Sequence, residues 1–159
     1  EIANWNSDDQ VVISGEKAAV EEALAVIKAP RSVMLPVSAP FHSRLMKPAE
    51  EKLAADLDAT AFAEPRFPII TNVDARLIRT GAEARDALKR QVSRAVLWTR
   101  SMAVLGELNI DACVECGPGK VLSGLVKRIA RGWSKAPAIH GVENWEGAEK
   151  ARAALFGLL

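Results

Sequence analysis

The chain has 159 residues, 49% of them apolar, with 21 basic and 20 acidic side chains and a net charge of +1. That length and apolar content supply one core of ordinary size, and the near-neutral balance excludes the global positive field of a nucleic-acid binder. No apolar run reaches the roughly 18 residues of a membrane helix, and no signal-peptide succession opens the chain, so the expectation is a soluble, cytoplasmic protein with neither nucleic-acid nor membrane partners.

In chain order, Gln10 to Ser14 reads as a short apolar strand. Gly15 turns it into a helix over Glu16 to Lys28, with Val20, Leu24 and Ile27 as its apolar stripe. Arg31 to Val37 reads as the next strand. Pro36 and Pro40 then bias the residues before them to extended backbone, so His42 is expected in a short, stiff loop at the carboxyl end of that strand. Pro48 suits the first turn of a helix whose buried side is Leu53 and Leu57. Phe67 to Asn72 reads as a strand. Thr80 and Glu83 have capping-box spacing at the start of a helix running to about Gln91, and Thr99 opens another that buries Met102, Leu105 and Leu108. Ala112 to Cys116 is the most central-looking strand. Gly119 to Arg131 is helical, Ile139 to Val142 a last strand and Glu146 to Leu158 a last helix. Strands alternating with helices argue for an α/β fold with a mostly parallel sheet.

Several residue types carry chemistry. In an open α/β sheet, working side chains gather at the carboxyl ends of strands, and imidazole exchanges protons near neutrality, which singles out His42; the structural alternative is a capping or buried histidine. Cys113 and Cys116 have C-x-x-C spacing, but on a strand positions i and i+3 face opposite ways, so buried structural thiols are expected over metal or redox use. Gly117-Pro118-Gly119-Lys120 lacks the Gly-x4-Gly-Lys-Ser/Thr frame of a phosphate loop. Lys120, Lys127 and Arg131 align on one helix side and offer a basic face to an acidic partner or to phosphates, or a merely solvated one.

The stretch Leu35-Pro36-Val37-Ser38-Ala39-Pro40-Phe41-His42-Ser43-Arg44-Leu45-Met46, with Pro48 after it, resembles the histidine motif of the malonyl-CoA:acyl-carrier-protein transacylase family of fatty-acid synthesis. Other segments agree in order. They are Asn4-x-Asn6-Ser7 with Gln10 to Gly15, Thr71-Asn72-Val73, Arg90-Gln91 ahead of Val96-x-Trp98, and Glu115 to Leu122. The resemblance covers nearly the whole chain but only the carboxyl-terminal half of the family. The family's Gly-His-Ser-x-Gly nucleophile turn has no counterpart here, and the opening Glu1-Ile2-Ala3 without an initiator methionine is consistent with a fragment.

The resemblance implies part of an α/β-hydrolase-like, mostly parallel sheet domain with part of a small ferredoxin-like subdomain: residues 1–37 in the small subdomain, 38–159 in the carboxyl-terminal portion of the large acyltransferase domain. It implies ping-pong malonyl transfer from malonyl-CoA to acyl carrier protein, with the coenzyme A thioester as substrate and no cofactor or metal. His42 matches the general base, and Gln91 the residue whose backbone carbonyl holds the other ring nitrogen. Asn4 and Asn6 match a segment near the substrate channel, although turn chemistry accounts for them almost as well. In related acyltransferases a Phe at position 41 accompanies malonyl use and a Ser often accompanies methylmalonyl use. Ser38 and Ser43 flank His42 without a nucleophile elbow, so capping or turn bonding is expected of them. The nucleophile and the carboxylate-binding arginine are then expected outside this chain, which by itself is expected to be inactive and to self-associate. A second reading is a catalytically empty partner-binding module, and a third, a thiol-redox domain, requires Cys113 and Cys116 within disulfide reach.

Overall fold

Asp8 and Asp9 interrupt an extended run with a turn that the Ser7 hydroxyl helps close, donating to Asp9 Oδ1 at 2.7 Å. The segment folds back as an antiparallel hairpin of β1 (Ile2–Ser7) and β2 (Gln10–Ile13), irregular at two places in its register. In the computed structural model, which describes residues 1–157, this hairpin belongs to the first of two compact units, Glu1–Ser101; the second begins at Met102.

Within the first unit, α1 (Lys17–Val26) buries no residue, and Ile27, expected on its apolar stripe, is exposed just past its end. The strand expected over Arg31 to Val37 does not form. That segment is unpaired coil, with Val33, Met34, Leu35 and Val37 all more than half exposed. Apolar character alone does not make a strand. A ladder partner is required, Pro30 and Pro36 each remove a donor, and no described strand lies alongside. His42 therefore follows coil, not the end of a strand.

A single 3₁₀ turn, Arg44–Met46, leads into α2 (Lys47–Ala59), where Pro48 occupies the first turn as expected. Its inward face differs from the expectation. Glu50 is buried, Ala54 and Leu57 are half-buried at the i+4 and i+7 positions that share its side, and Leu53 faces out. A short antiparallel hairpin follows, β3 (Ile69–Thr71) with β4 (Arg76–Ile78). The capping box then opens α3 (Gly81–Gln91): the Thr80 hydroxyl accepts from the Glu83 N–H while the Glu83 carboxylate accepts from the Thr80 N–H at 3.2 Å. Gly81 is required there, since a Cβ would lie 2.6 Å from the Phe62 carbonyl oxygen. After α3 the chain returns to the first hairpin. Val96 bridges Asn4 in parallel, donating to the Ala3 carbonyl at 2.8 Å and accepting from the Trp5 N–H at 2.9 Å. α4 (Trp98–Glu107) comes next, with Met102 buried and Leu108 exposed.

The second unit contains a β-α-β arrangement. β5 (Ala112–Cys116) pairs in parallel with β6 (Ala138–Val142), and α5 (Val121–Ile129) connects them, burying Leu125 and Val126. α6 (Trp145–Phe156) packs on β6, its first turn capped by the Asn144 side chain accepting from the Gly147 N–H at 2.9 Å. Of the helix expected to reach Leu158, that last position lies outside the described residues. β5 has one neighbouring strand among the described residues and Val114 is exposed, so it is less central than its composition suggests. The described sheets are thus two antiparallel hairpins and one parallel pair, with helices between: an α/β fold. No helix among the described residues is long and apolar enough to cross a membrane.

Candidate active site

His42 occupies a turn with φ of 59°, in the left-handed region that costs a residue with a Cβ roughly 1–2 kcal/mol. What over-determines that backbone is Ser43, which is 1% exposed and donates its hydroxyl to the Pro40 carbonyl at 2.7 Å. Ser43 is therefore committed to the turn. The ring of His42 is half-buried, and its Nδ1–H donates to the backbone carbonyl of Gln91 at 3.0 Å, across 49 residues of sequence.

That carbonyl is available because Gln91 is the last residue of α3, where terminal carbonyls have no intrahelical donor. The Gln91 side chain folds back to donate from Nε2 to the carbonyls of Arg94, at 2.9 Å, and Ala95, at 3.3 Å. Next to it, Arg90 makes a bidentate pair with Asp74 of the β3–β4 turn, at 2.7 and 2.6 Å, and a further bond to Asp86 at 2.8 Å. The Arg90 guanidinium holds the Asp74 carboxyl below its ordinary range, and the two carboxylates in turn raise Arg90. A carbonyl oxygen accepts only, so the His42 ring carries a proton on Nδ1, and in the neutral imidazole Nε2 is then the nitrogen without one. An imidazole fixed in that tautomer can act as a proton acceptor.

The structure brings His42 and Gln91 together. Phe41 is half-exposed beside the histidine, its N–H bonded to the Ala39 carbonyl at 2.9 Å. Asn4 and Asn6 are half-buried on β1, on a strand and not in the turn that the alternative reading required. Asn4 makes the backbone bridge to Val96, and among the described residues neither asparagine hydrogen-bonds His42. Residue patterns alone did not reveal Glu50, Ser93 or the Asp74–Arg90 pair, whose partners are distant in sequence; the half-buried Ala54 and Leu57 mark the face of α2 on which Glu50 stands.

In the second unit, the loop after β5 is already satisfied by carboxylates. Glu115 accepts from the N–H groups of Leu122, at 3.0 Å, and Ser123, at 2.8 Å, and Glu143 accepts from the Gly119 N–H. Gly117 and Gly119 supply the positive φ values of the turn, 139° and 84°. Three of the N–H groups an anion could use there are thus taken by the chain itself. Cys113 and Cys116 are both free thiols; burial pushes the Cys113 thiol up, whereas Cys116 is exposed, contrary to the expectation that both are buried. Alternation along β5 puts them on opposite faces. The basic side chains Lys120, Lys127 and Arg131 line a groove of about 670 Å³ together with Pro137 and Ile139.

No family model matches the chain. The chain is 47% identical over 129 residues to the malonyl CoA-acyl carrier protein transacylase of Salmonella typhimurium, a match spanning 79% of this chain and 42% of that protein. The crystal structure of the Synechocystis malonyl-CoA:ACP transacylase superimposes with a TM-score of 0.88 at 36% identity, covering 94% of this chain and 50% of that one. A complex of a type II PKS acyl-carrier protein with its malonyl-transacylase matches with a TM-score of 0.86 at 38% identity over 95% of this chain and 48% of that one. The chain spans about half the length of the relatives it matches. Sequence likeness and superposition agree along most of its residues, and on that basis the chain belongs to the malonyl-CoA:acyl-carrier-protein transacylase family.

Proposed function

We propose that the polypeptide carrying this chain moves a malonyl group from malonyl-CoA to acyl carrier protein by a ping-pong Ser–His mechanism, acting in the cytoplasm, with the serine outside these residues. The observation that carries the reading is the 3.0 Å bond from His42 Nδ1 to the Gln91 carbonyl, which leaves Nε2 as a base. As the serine oxygen attacks the thioester carbon, Nε2 takes its proton; the C–S bond then breaks and the proton passes to the departing coenzyme A sulfur. In the second half Nε2 takes the proton of the carrier thiol, whose sulfur attacks the acyl ester, and returns it to the serine oxygen. A backbone carbonyl does here what an Asp does in many triads: it holds the tautomer. On the same reading residues 1–37 belong to the small ferredoxin-like subdomain and 38–159 to the large domain. Asn4 and Asn6 face the substrate channel.

Phe41, next to the base, crowds the space an α-methyl would need. The complete polypeptide should transfer malonyl from malonyl-CoA to acyl carrier protein, with methylmalonyl-CoA the poorer donor. Phe41→Ser should narrow that ratio by about 10-fold or more, because a methyl in a pocket is worth about 1–3 kcal/mol. Absence of malonyl transfer sinks the function. Equal donor ratios in wild type and variant sink the role of Phe41 alone.

The basic groove formed by Lys120, Lys127 and Arg131 suits an acidic carrier protein by complementarity of charge. Reversing the charge of Lys127 and Arg131 should raise the KM for acyl carrier protein several-fold and flatten its dependence on salt, with the KM for malonyl-CoA unchanged. An unaltered carrier KM and salt slope would remove the groove from the docking surface.

A further inference from the structure

The bond between His42 and Gln91 joins two stretches that regular structure does not hold at that point: His42 lies in a turn and Gln91 at the last position of α3. α2 and α3 pack against each other, and a directional contact where α3 ends adds to that packing. α2 starts directly after the His42 turn, and its Glu50, 7% exposed, is the one buried charged residue among those described. Its carboxylate reaches in two directions. Oε1 accepts from Lys47 Nζ at 2.5 Å on its own helix, and Oε2 accepts from the hydroxyl of Ser93, two residues beyond Gln91. Burial works to raise this carboxyl, but the hydrogen bonds from Lys47 and Ser93, with the charges of Lys47 and Arg94, outweigh it and hold it below the ordinary range. Glu50 is therefore ionised near neutrality while buried, where an apolar side chain would avoid the desolvation cost altogether. A carboxylate adds direction that an apolar contact lacks, because it fixes where Ser93 stands. The remaining freedom of that turn is removed by the Gln91 side chain on the Arg94 and Ala95 carbonyls and by the Arg90 pair with Asp74.

We infer that Glu50 is a positioning residue for the base: through Ser93 it sets the turn that presents the Gln91 carbonyl to His42, and with it the tautomer and orientation of the ring. The inference rests on the reading of His42 as the base, and its test separates the two. In the complete polypeptide, ¹⁵N spectra of His42 at alkaline pH report which ring nitrogen is protonated. Wild type should show the proton on Nδ1. Ser93→Ala and Glu50→Ala should move the ring toward the mixed tautomers of free imidazole and lower kcat by roughly 10- to 100-fold, with the KM for malonyl-CoA within about twofold. Ser93→Thr, which keeps the hydroxyl, should retain both. If Glu50→Ala fails to fold, Ser93→Ala carries the test with the loss of one oxygen. An unchanged Nδ1–H signature in the alanine variants overturns the inference, whatever their melting temperatures. A changed tautomer with unchanged kcat upholds the positioning and refutes His42 as the base instead.

Discussion

His42→Ala in the complete polypeptide should reduce malonyl transfer by about 10²- to 10⁴-fold, the usual contribution of a positioned general acid–base group. Folding should survive. The ring is half-buried, makes one hydrogen bond, and sits in a turn whose shape depends on the Ser43–Pro40 bond and not on the imidazole. Without Nε2 the serine and the carrier thiol must lose their protons to water, so both halves of the cycle slow. Binding of malonyl-CoA should be nearly unchanged, because the interaction lost is one made in the transition state, and kcat should fall with little change in KM. Steady-state transfer and a thermal melt on the same preparation decide it. Turnover near that of wild type in a folded variant would remove His42 from the mechanism.

The chain by itself, for all that it carries the proposed base, should transfer no malonyl group. Nucleophile, base and oxyanion donors act as a unit, and deleting one member typically costs nearly as much as deleting all. The serines beside His42 are unsuited to replace the nucleophile. Ser43 is buried with its hydroxyl donated to Pro40, and Ser38 stands in coil without the strand-to-helix elbow that exposes and activates a hydroxyl. Incubation of the chain with radiolabelled malonyl-CoA should give no acylated protein, and addition of the complementary part of the fold should restore labelling on a serine of that part. Label on Ser38, Ser43, Cys113 or Cys116 of the isolated chain would overturn the claim. The same preparation should sediment as larger than 17.1 kDa, because the apolar coil from Val33 to Val37 offers unpaired backbone and exposed side chains to a second copy.

What the residue pattern conveyed, and what it did not, follows from the range of the interactions involved. The Thr80–Glu83 box, the proline in the first turn of α2 and the β5-α5-β6 succession are local or periodic features, and each appears in the structure within a few residues of its expected bounds. The Arg31–Val37 strand fails because pairing is a property of two segments and apolar content of one. β1 gives only a weak apolar signal, since its buried positions are Ala3 and Ser7, both small residues. At the candidate site, a lone histidine after two prolines is visible in any reading, whereas the choice of Gln91 came from the family resemblance. No spacing rule links positions 42 and 91, and a backbone carbonyl has no residue type to recognise. Glu50 is harder still, since a glutamate on a helix is ordinarily taken as its solvated side. Ala54 and Leu57 mark its side of the helix, and the partner 43 residues away shows what it meets there.

The left-handed backbone at His42 sets stability against activity at a single position. Glycine and asparagine tolerate that conformation better than histidine, so a redesign guided by thermal tolerance alone would score either as an improvement there. Directed evolution for heat resistance, run without a transfer assay, would on this account drift toward erasing the imidazole. Any stabilisation campaign on this fold has to hold position 42 fixed and seek its gains elsewhere, for instance in the α1 segment, where no side chain is yet buried.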